Sequence, residues 1–131
     1  MGIAILVIMA VASAVVSHNT QKSCSEVPLE TLAAIEGGAE SSYAPLQLEN
    51  GKAIAVTLTY PNGNQVDGFL VAATTPAGVG VWAMDAPAYA GGNGNIQAVN
   101  AAAYATANWG GSLPNPVSDA DVATAAACVA G

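Results

Sequence analysis

Residues 53–60 alternate between larger apolar side chains and smaller or hydroxylated ones, which predicts a β-strand with one buried face. The two sides of this strand are Ile54, Val56, Leu58 and Tyr60 against Ala55, Thr57 and Thr59. The segment 61–64 that follows contains Asn-Gly, a pair that tolerates the positive φ of a tight turn. The pattern therefore predicts a strand that ends in a hairpin turn.

Two further strands are predicted downstream. Residues 66–74 are apolar on both faces, and a Pro-Ala-Gly turn at 76–78 separates them from an alternating run at 79–85. Three consecutive strands joined by short turns are typical of an antiparallel meander. Residues 96–99 are expected to add a fourth strand at its edge.

Short helices are predicted around this sheet. Residues 29–36 follow Pro28 at helical spacing, and residues 39–52 are interpreted as a loop. An Ala-rich helix is expected at 100–108, and a capping box at 118–121 begins a last helix that runs to about residue 128. The expected fold class is α+β: a three- or four-stranded antiparallel meander with short flanking helices, preceded by an apolar N-terminal helix.

The N-terminal run Gly2–Val16 carries no charge. It is long enough for the apolar core of a signal peptide and shorter than the roughly 20 residues of a full membrane span. A retained short anchor and a buried core helix are the alternatives. The chain is therefore divided into a signal peptide or membrane anchor at 1–17, a polar tether at 18–27, and a single α+β domain at 28–131.

The composition excludes some classes of function. Charged residues make up only 8 % of the chain against the usual quarter, and the net charge is −7 with two basic residues. Nucleic-acid binding needs a basic surface, so it is excluded. Binding to anionic lipid is disfavoured as well, because the chain is itself negatively charged. With a leader of this kind, the expected location is extracytoplasmic, either secreted or attached to the membrane through residues 1–17.

Cys24 and Cys128 are the only cysteines, and an even number in an exported chain indicates a disulfide. Two unpaired thiols are the alternative. Two cysteines and the single histidine, His18, are too few for a closed zinc site, so no metal and no cofactor are expected.

No catalytic residues are predicted. His18 lies beside the leader and supports no Ser-His-Asp arrangement. Asp67 and Asp85, on adjacent predicted strands, are the candidates for a hydrolase carboxylate pair, although solvated strand ends are the preferred interpretation. Trp82 and Trp109 are candidate binding aromatics, with core packing as their alternative role.

The motifs Cys24–Pro28, Gly80–Ala83 and Ile96–Asn100, together with Trp109 and the closing Cys128, resemble a loose class of small exported proteins of actinobacteria and their phages. Such proteins have an apolar anchor, a Cys-x-x-Val-Pro start and a closing cysteine. The resemblance implies export and paired cysteines. It covers residues 24–129 and implies no activity.

The chain is also similar to a pilin in its apolar N-terminus, low charge and late cysteine. It departs from pilins at Ile5, where most carry a glutamate, and at Pro28, which interrupts the helix. The expected function is a non-enzymatic exported module that binds an unknown protein or envelope component. The alternative is a filament subunit that self-assembles through its N-terminal helix.

Overall fold

A computed structural model describes residues 23–110 and 115–130. The described strands are β1 (Ser25–Glu26), β2 (Glu49–Thr59), β3 (Gln65–Thr75), β4 (Gly78–Asp85) and β5 (Ile96–Ala98). The described helices are α1 (Leu29–Glu36), α2 (Ala86–Tyr89), α3 (Ala101–Thr106) and α4 (Asp119–Ala130), with a 3-10 turn at Ser41–Tyr43. The expected N-terminal helix and the first half of the tether, residues 18–22, lie outside the described residues.

The five described strands form one antiparallel sheet in chain order. The α+β class and the meander are therefore confirmed, and β5 is the predicted extra strand after β4. The turn between β2 and β3 is also confirmed. Gly63 has a φ of 89°, and its N–H donates to the Tyr60 carbonyl at 2.8 Å.

The sheet has one strand more than predicted because β1 lies in the segment interpreted as a tether. Ser25 pairs with Ala53 and Glu26 with Lys52, and the Lys52 ammonium forms an ion pair with the Glu26 carboxylate. A polar strand of two residues has no periodicity of its own. It exists only because the edge of β2 offers it partners.

The prediction of a loop over 39–52 is wrong at its end, because β2 begins at Glu49. The pairing with β3 shifts between Glu49 and Lys52, which is a β-bulge, and Asn50 has a φ of 58°. A bulge inserts one extra residue and so breaks the period-two pattern. The sequence therefore shows the strand only from residue 53 onwards.

Both faces of the sheet are apolar, and each is covered by a different layer of helix. One face packs against α4 through a cluster formed by Ile54, Val56, Leu58, Leu70, Ala72, Val81, Ala83, Val99 and Ala125. The other packs against α1, α2 and α3 through Leu32, Ile35, Ala53, Val71, Ala73, Trp82, Met84, Ala88, Ala98 and Ala103. The predicted alternation of β4, with Val81 and Ala83 opposed to Trp82 and Met84, matches these two layers.

The disulfide between Cys24 and Cys128 is present, as the cysteine count predicts. The two Cα atoms lie 5.9 Å apart, and the bridge joins residues that are 104 positions apart. It fastens the residue before β1 to the last turn of α4, so one face of the sheet is tied to its covering helix. Closing so long a loop restricts the unfolded chain by roughly 4–5 kcal/mol in the chain-entropy treatment.

We predict that the paired substitution Cys24→Ala with Cys128→Ala lowers the free energy of unfolding by about 2–5 kcal/mol, because the unfolded chain regains its freedom. Urea titration followed by tryptophan fluorescence measures the loss. Reductant should shift the midpoint of the wild-type protein and leave that of the variant unchanged. Equal midpoints for the oxidised wild type and the variant would contradict this role for the bridge.

Candidate functional site

The two carboxylates considered for a hydrolase lie on opposite faces of the sheet. Asp67 pairs with Thr57, and Asp85 pairs with Gly68, the residue next to Asp67. Directly paired residues share a face and neighbours along a strand alternate, so the two aspartates point in opposite directions. They share no cleft, and the hypothesis of a paired-carboxylate hydrolase is wrong.

Asp85 instead organises the chain after β4. One carboxylate oxygen accepts a hydrogen bond from the Ala88 N–H and the other from the Asn95 N–H, each at 3.0 Å. The first caps α2, a helix of one turn that the sequence does not reveal, and the second holds the following loop. A similar cap begins α4, where the Ser118 hydroxyl accepts from the Asp121 N–H at 3.1 Å.

The two tryptophans have different environments. Trp82 has no exposed surface, and its Nε1 donates to the Ala107 carbonyl at 2.9 Å, so it occupies the core and offers no surface to a ligand. Trp109 is half-buried, and its Nε1 donates to the Ile35 carbonyl at 2.9 Å. Its own carbonyl accepts from the Ala98 N–H at 2.7 Å, which joins the end of α1 to β5.

An apolar pocket opens beside the turn between β2 and β3, and we take it as the candidate binding site. Its volume is about 200 Å3. The lining consists of a buried floor, Leu58, Ala83, Gln97 and Pro116, and a more exposed rim, Tyr60, Pro61, Asn95 and Ile96. These side chains carry no charge. The pocket combines apolar walls with amide and phenol groups, as small-molecule sites do.

A second, more polar depression lies on the other side of Pro116, and we call it the edge cleft. It has a volume of about 340 Å3 and is lined by Thr57, Thr59, the segment 115–118 and Asp121. The Thr59 N–H donates to the Pro116 carbonyl at 2.9 Å. This bond attaches the Pro116 segment to the edge of β2 and makes it the wall between the two depressions.

The described surface is strongly acidic. Lys52 is the one cation among the described residues and is already paired with Glu26, whereas all nine acidic residues of the chain are described. Within the described ranges, no group of three His, Cys, Asp or Glu side chains lies close enough to hold a metal ion. No helix of that part of the chain is long and apolar enough to cross a membrane.

One more aromatic group lies on the face opposite the apolar pocket. The rings of Phe69 and Tyr89 stack with centroids 3.9 Å apart, and burial raises the pKa of the Tyr89 phenol above its usual value. The Thr31 hydroxyl donates to the Tyr89 carbonyl, which fixes the end of α2 against α1. These contacts are structural.

Comparison with known proteins gives no family: no family model, no curated protein and no solved structure matches this chain.

We predict that Gly38→Ala displaces the Trp109 ring, because a Cβ at residue 38 would lie 2.5 Å from the indole nitrogen. The indole N–H resonance of Trp109 should move as its bond to Ile35 is lost. The matched control is Gly37→Ala, where the added Cβ meets nothing closer than 3.4 Å and the backbone is already helical, with a φ of −63°. An unchanged indole resonance in Gly38→Ala would show that the ring is not held there.

Proposed function

We propose that this protein is an exported, non-enzymatic module that binds a component of the cell envelope through the apolar pocket. The pocket is the observation that carries the proposal. Its buried floor comes from β2, β4, β5 and the Pro116 segment, so a rigid sheet holds its shape. Sites preformed on such a scaffold bind without a large cost of ordering.

The size and lining of the pocket define the kind of ligand. At about 200 Å3 it is smaller than the roughly 300–1,000 Å3 of sites that enclose a drug-sized molecule. It fits one side chain or one small ring that projects from a larger partner. The ligand group is uncharged, because no lining residue could pair with a buried charge. The Asn95 amide and the Tyr60 phenol on the rim suit a group with an apolar body and a polar edge.

The disulfide supports export. Such bonds persist in oxidising compartments and are rare in the cytosol, where thiols are kept reduced. The Cys24–Cys128 bridge is therefore typical of a protein that works outside the cytoplasm. The delivery route is proposed from the sequence, in which residues 1–17 act as a signal peptide or an anchor.

Sequencing the N-terminus of the native protein tests export. We expect the mature chain to begin at His18 or Val15, with no thiol available for labelling before reduction, because both cysteines pair after translocation. A chain that keeps Met1 would favour a membrane anchor or the filament alternative. Quantitative labelling of both cysteines in freshly isolated protein would contradict export to an oxidising compartment.

A pair of matched substitutions tests the pocket. Ala83 lines its floor, whereas Ala72 lies on the same face of the sheet, fully buried and away from the pocket. Ala83→Met should be tolerated, because the side chain enters open space. Ala72→Met should lower the free energy of unfolding by about 1–3 kcal/mol through overpacking. Urea titration of both variants measures the difference.

The same variant reports on binding. Phenol, a single ring with one polar edge, should shift the backbone amide resonances of Ile96 and Gln97 in the wild-type protein and much less in Ala83→Met, since the methionine occupies the space that the ring enters. Equal phenol binding by the two proteins would mean that the apolar pocket is not the binding site.

A further inference from the structure

The described residues cover only part of the outer edge of β2. The hydrogen-bonding groups of this edge can be located from the contacts at its two ends. Near one end Ala53 pairs with Ser25 of β1, and near the other the Thr59 N–H donates outwards to Pro116. Outward-pointing backbone groups recur at every second residue of a strand. The N–H and C=O groups of Ala55 and Thr57 therefore also point away from β3.

No described residue pairs with these two positions. The β1 ladder stops at Ser25, because the preceding Cys24 turns to its disulfide with Cys128 on α4. The Pro116 segment reaches only Thr59. Between Ala53 and Thr59 lies a stretch of edge about 20 Å long, at roughly 3.3 Å for each residue. Ala55 and Thr57 are exposed along it.

Within residues 23–110 and 115–130, nothing gives this stretch the usual protection of an edge strand. Folded proteins guard exposed edges with lysine, proline, a bulge or a covering segment. In β2 the bulge, Lys52 and the covering strand all lie at one end, and Pro116 covers the other. The unguarded part is the part beside the edge cleft, since Thr57 belongs to both.

We propose that the open edge of β2 at Ala55–Thr57 binds an extended, positively charged peptide of a partner protein as an added strand. This inference rests on the proposed role as a binding module and names its partner. The peptide backbone bonds to the N–H and C=O groups of Ala55 and Thr57, which is the geometry of β-strand addition. One end of the added strand lies in the edge cleft.

The charge of the partner follows from the side chains beside the edge. Asp67 is directly opposite Thr57 on the face that α1, α2 and α3 cover, whereas Asp121 belongs to α4 on the other face and lines the edge cleft. Lys52 is the nearby cation and is already paired with Glu26. An added strand therefore meets a carboxylate on either face, so one with lysine or arginine along one face is attracted, whereas an acidic one is repelled.

A second copy of the chain fits this edge less well than a single peptide. The open stretch is flanked by β1 and by the Pro116 segment. In a symmetric antiparallel pair, these two features of one copy would collide with those of the other. Each copy also carries a net charge of −7. A lone extended segment avoids both obstacles.

The test uses isotope-labelled full chain, produced in an oxidising compartment, and two seven-residue peptides in which lysine or glutamate alternates with valine. In the free protein the Ala55 and Thr57 amides should exchange with solvent at least about tenfold faster than the Val56 and Leu58 amides, which bond to β3. The lysine peptide should slow both outward amides by about tenfold, and the glutamate peptide should not.

Thr57→Pro removes one outward N–H without taking a donor from the β2–β3 ladder. It should weaken binding of the lysine peptide by about tenfold, whereas Thr57→Val, which keeps the N–H, should bind within about twofold of the wild type. Asp67→Asn with Asp121→Asn should weaken binding severalfold at low salt and less at high salt. If Thr57→Pro fails to fold, a lysine peptide N-methylated on the edge that faces β2 replaces it, and its binding should be lost.

Undiminished binding by Thr57→Pro or by the N-methylated peptide would overturn the added strand, and equal binding of the glutamate peptide would overturn the charge assignment. Slow exchange of Ala55 and Thr57 without peptide, together with concentration-dependent sedimentation, would assign the edge to a second copy instead. Phenol binding distinguishes the two proposals. If phenol still binds and Ala83→Met still blocks it while no peptide binds, only the strand-addition proposal fails.

Discussion

The sheet is apolar on both faces, so each face needs its own covering layer. The helices supply one layer on each side. Leu70 and Ala72 of β3 face one helical layer, while Val71 and Ala73 face the other. The residues of α4 that cover one face are all small, Val122, Ala125, Ala126, Cys128 and Val129, which allow close approach but bury little area each. A helix held so weakly by its own side chains needs another attachment, and the disulfide at Cys128 supplies it.

The second layer is attached by neutral hydrogen bonds instead. The indoles of Trp82 and Trp109 donate to carbonyls at the ends of α3 and α1. The Asn100 side chain caps α3 and also bonds to the backbone of β4, through Val79 and Val81. Because these bonds carry no net charge, salt screens them little. A domain with 8 % charged residues can therefore keep its helices in place without ion pairs.

The alternating strands and the cysteine pair were visible in the sequence because each leaves a local signal. The residues that fix the candidate site left none. The apolar pocket joins Leu58, Ala83, Gln97 and Pro116, which are distant in the chain and meet only through the sheet register. The same register places Asp67 and Asp85 on opposite faces of the sheet. Their spacing along the chain could not predict this. β1 and the first residues of β2 were missed because a polar two-residue strand and a bulge both lack periodicity.

The position of Lys52 has a consequence for the resistance of the domain to proteases. Trypsin-like proteases bind a basic side chain in a pocket with an acidic base, and the chain offers them only Lys22 and Lys52. Lys52 lies within β2, paired on one side with Glu26 and on the other with Ala72. A strand bonded on both sides does not enter a protease cleft without local unfolding. Cleavage by such enzymes is thereby confined to Lys22, which lies outside the disulfide loop, so the covalent link between the two ends of the domain is left intact.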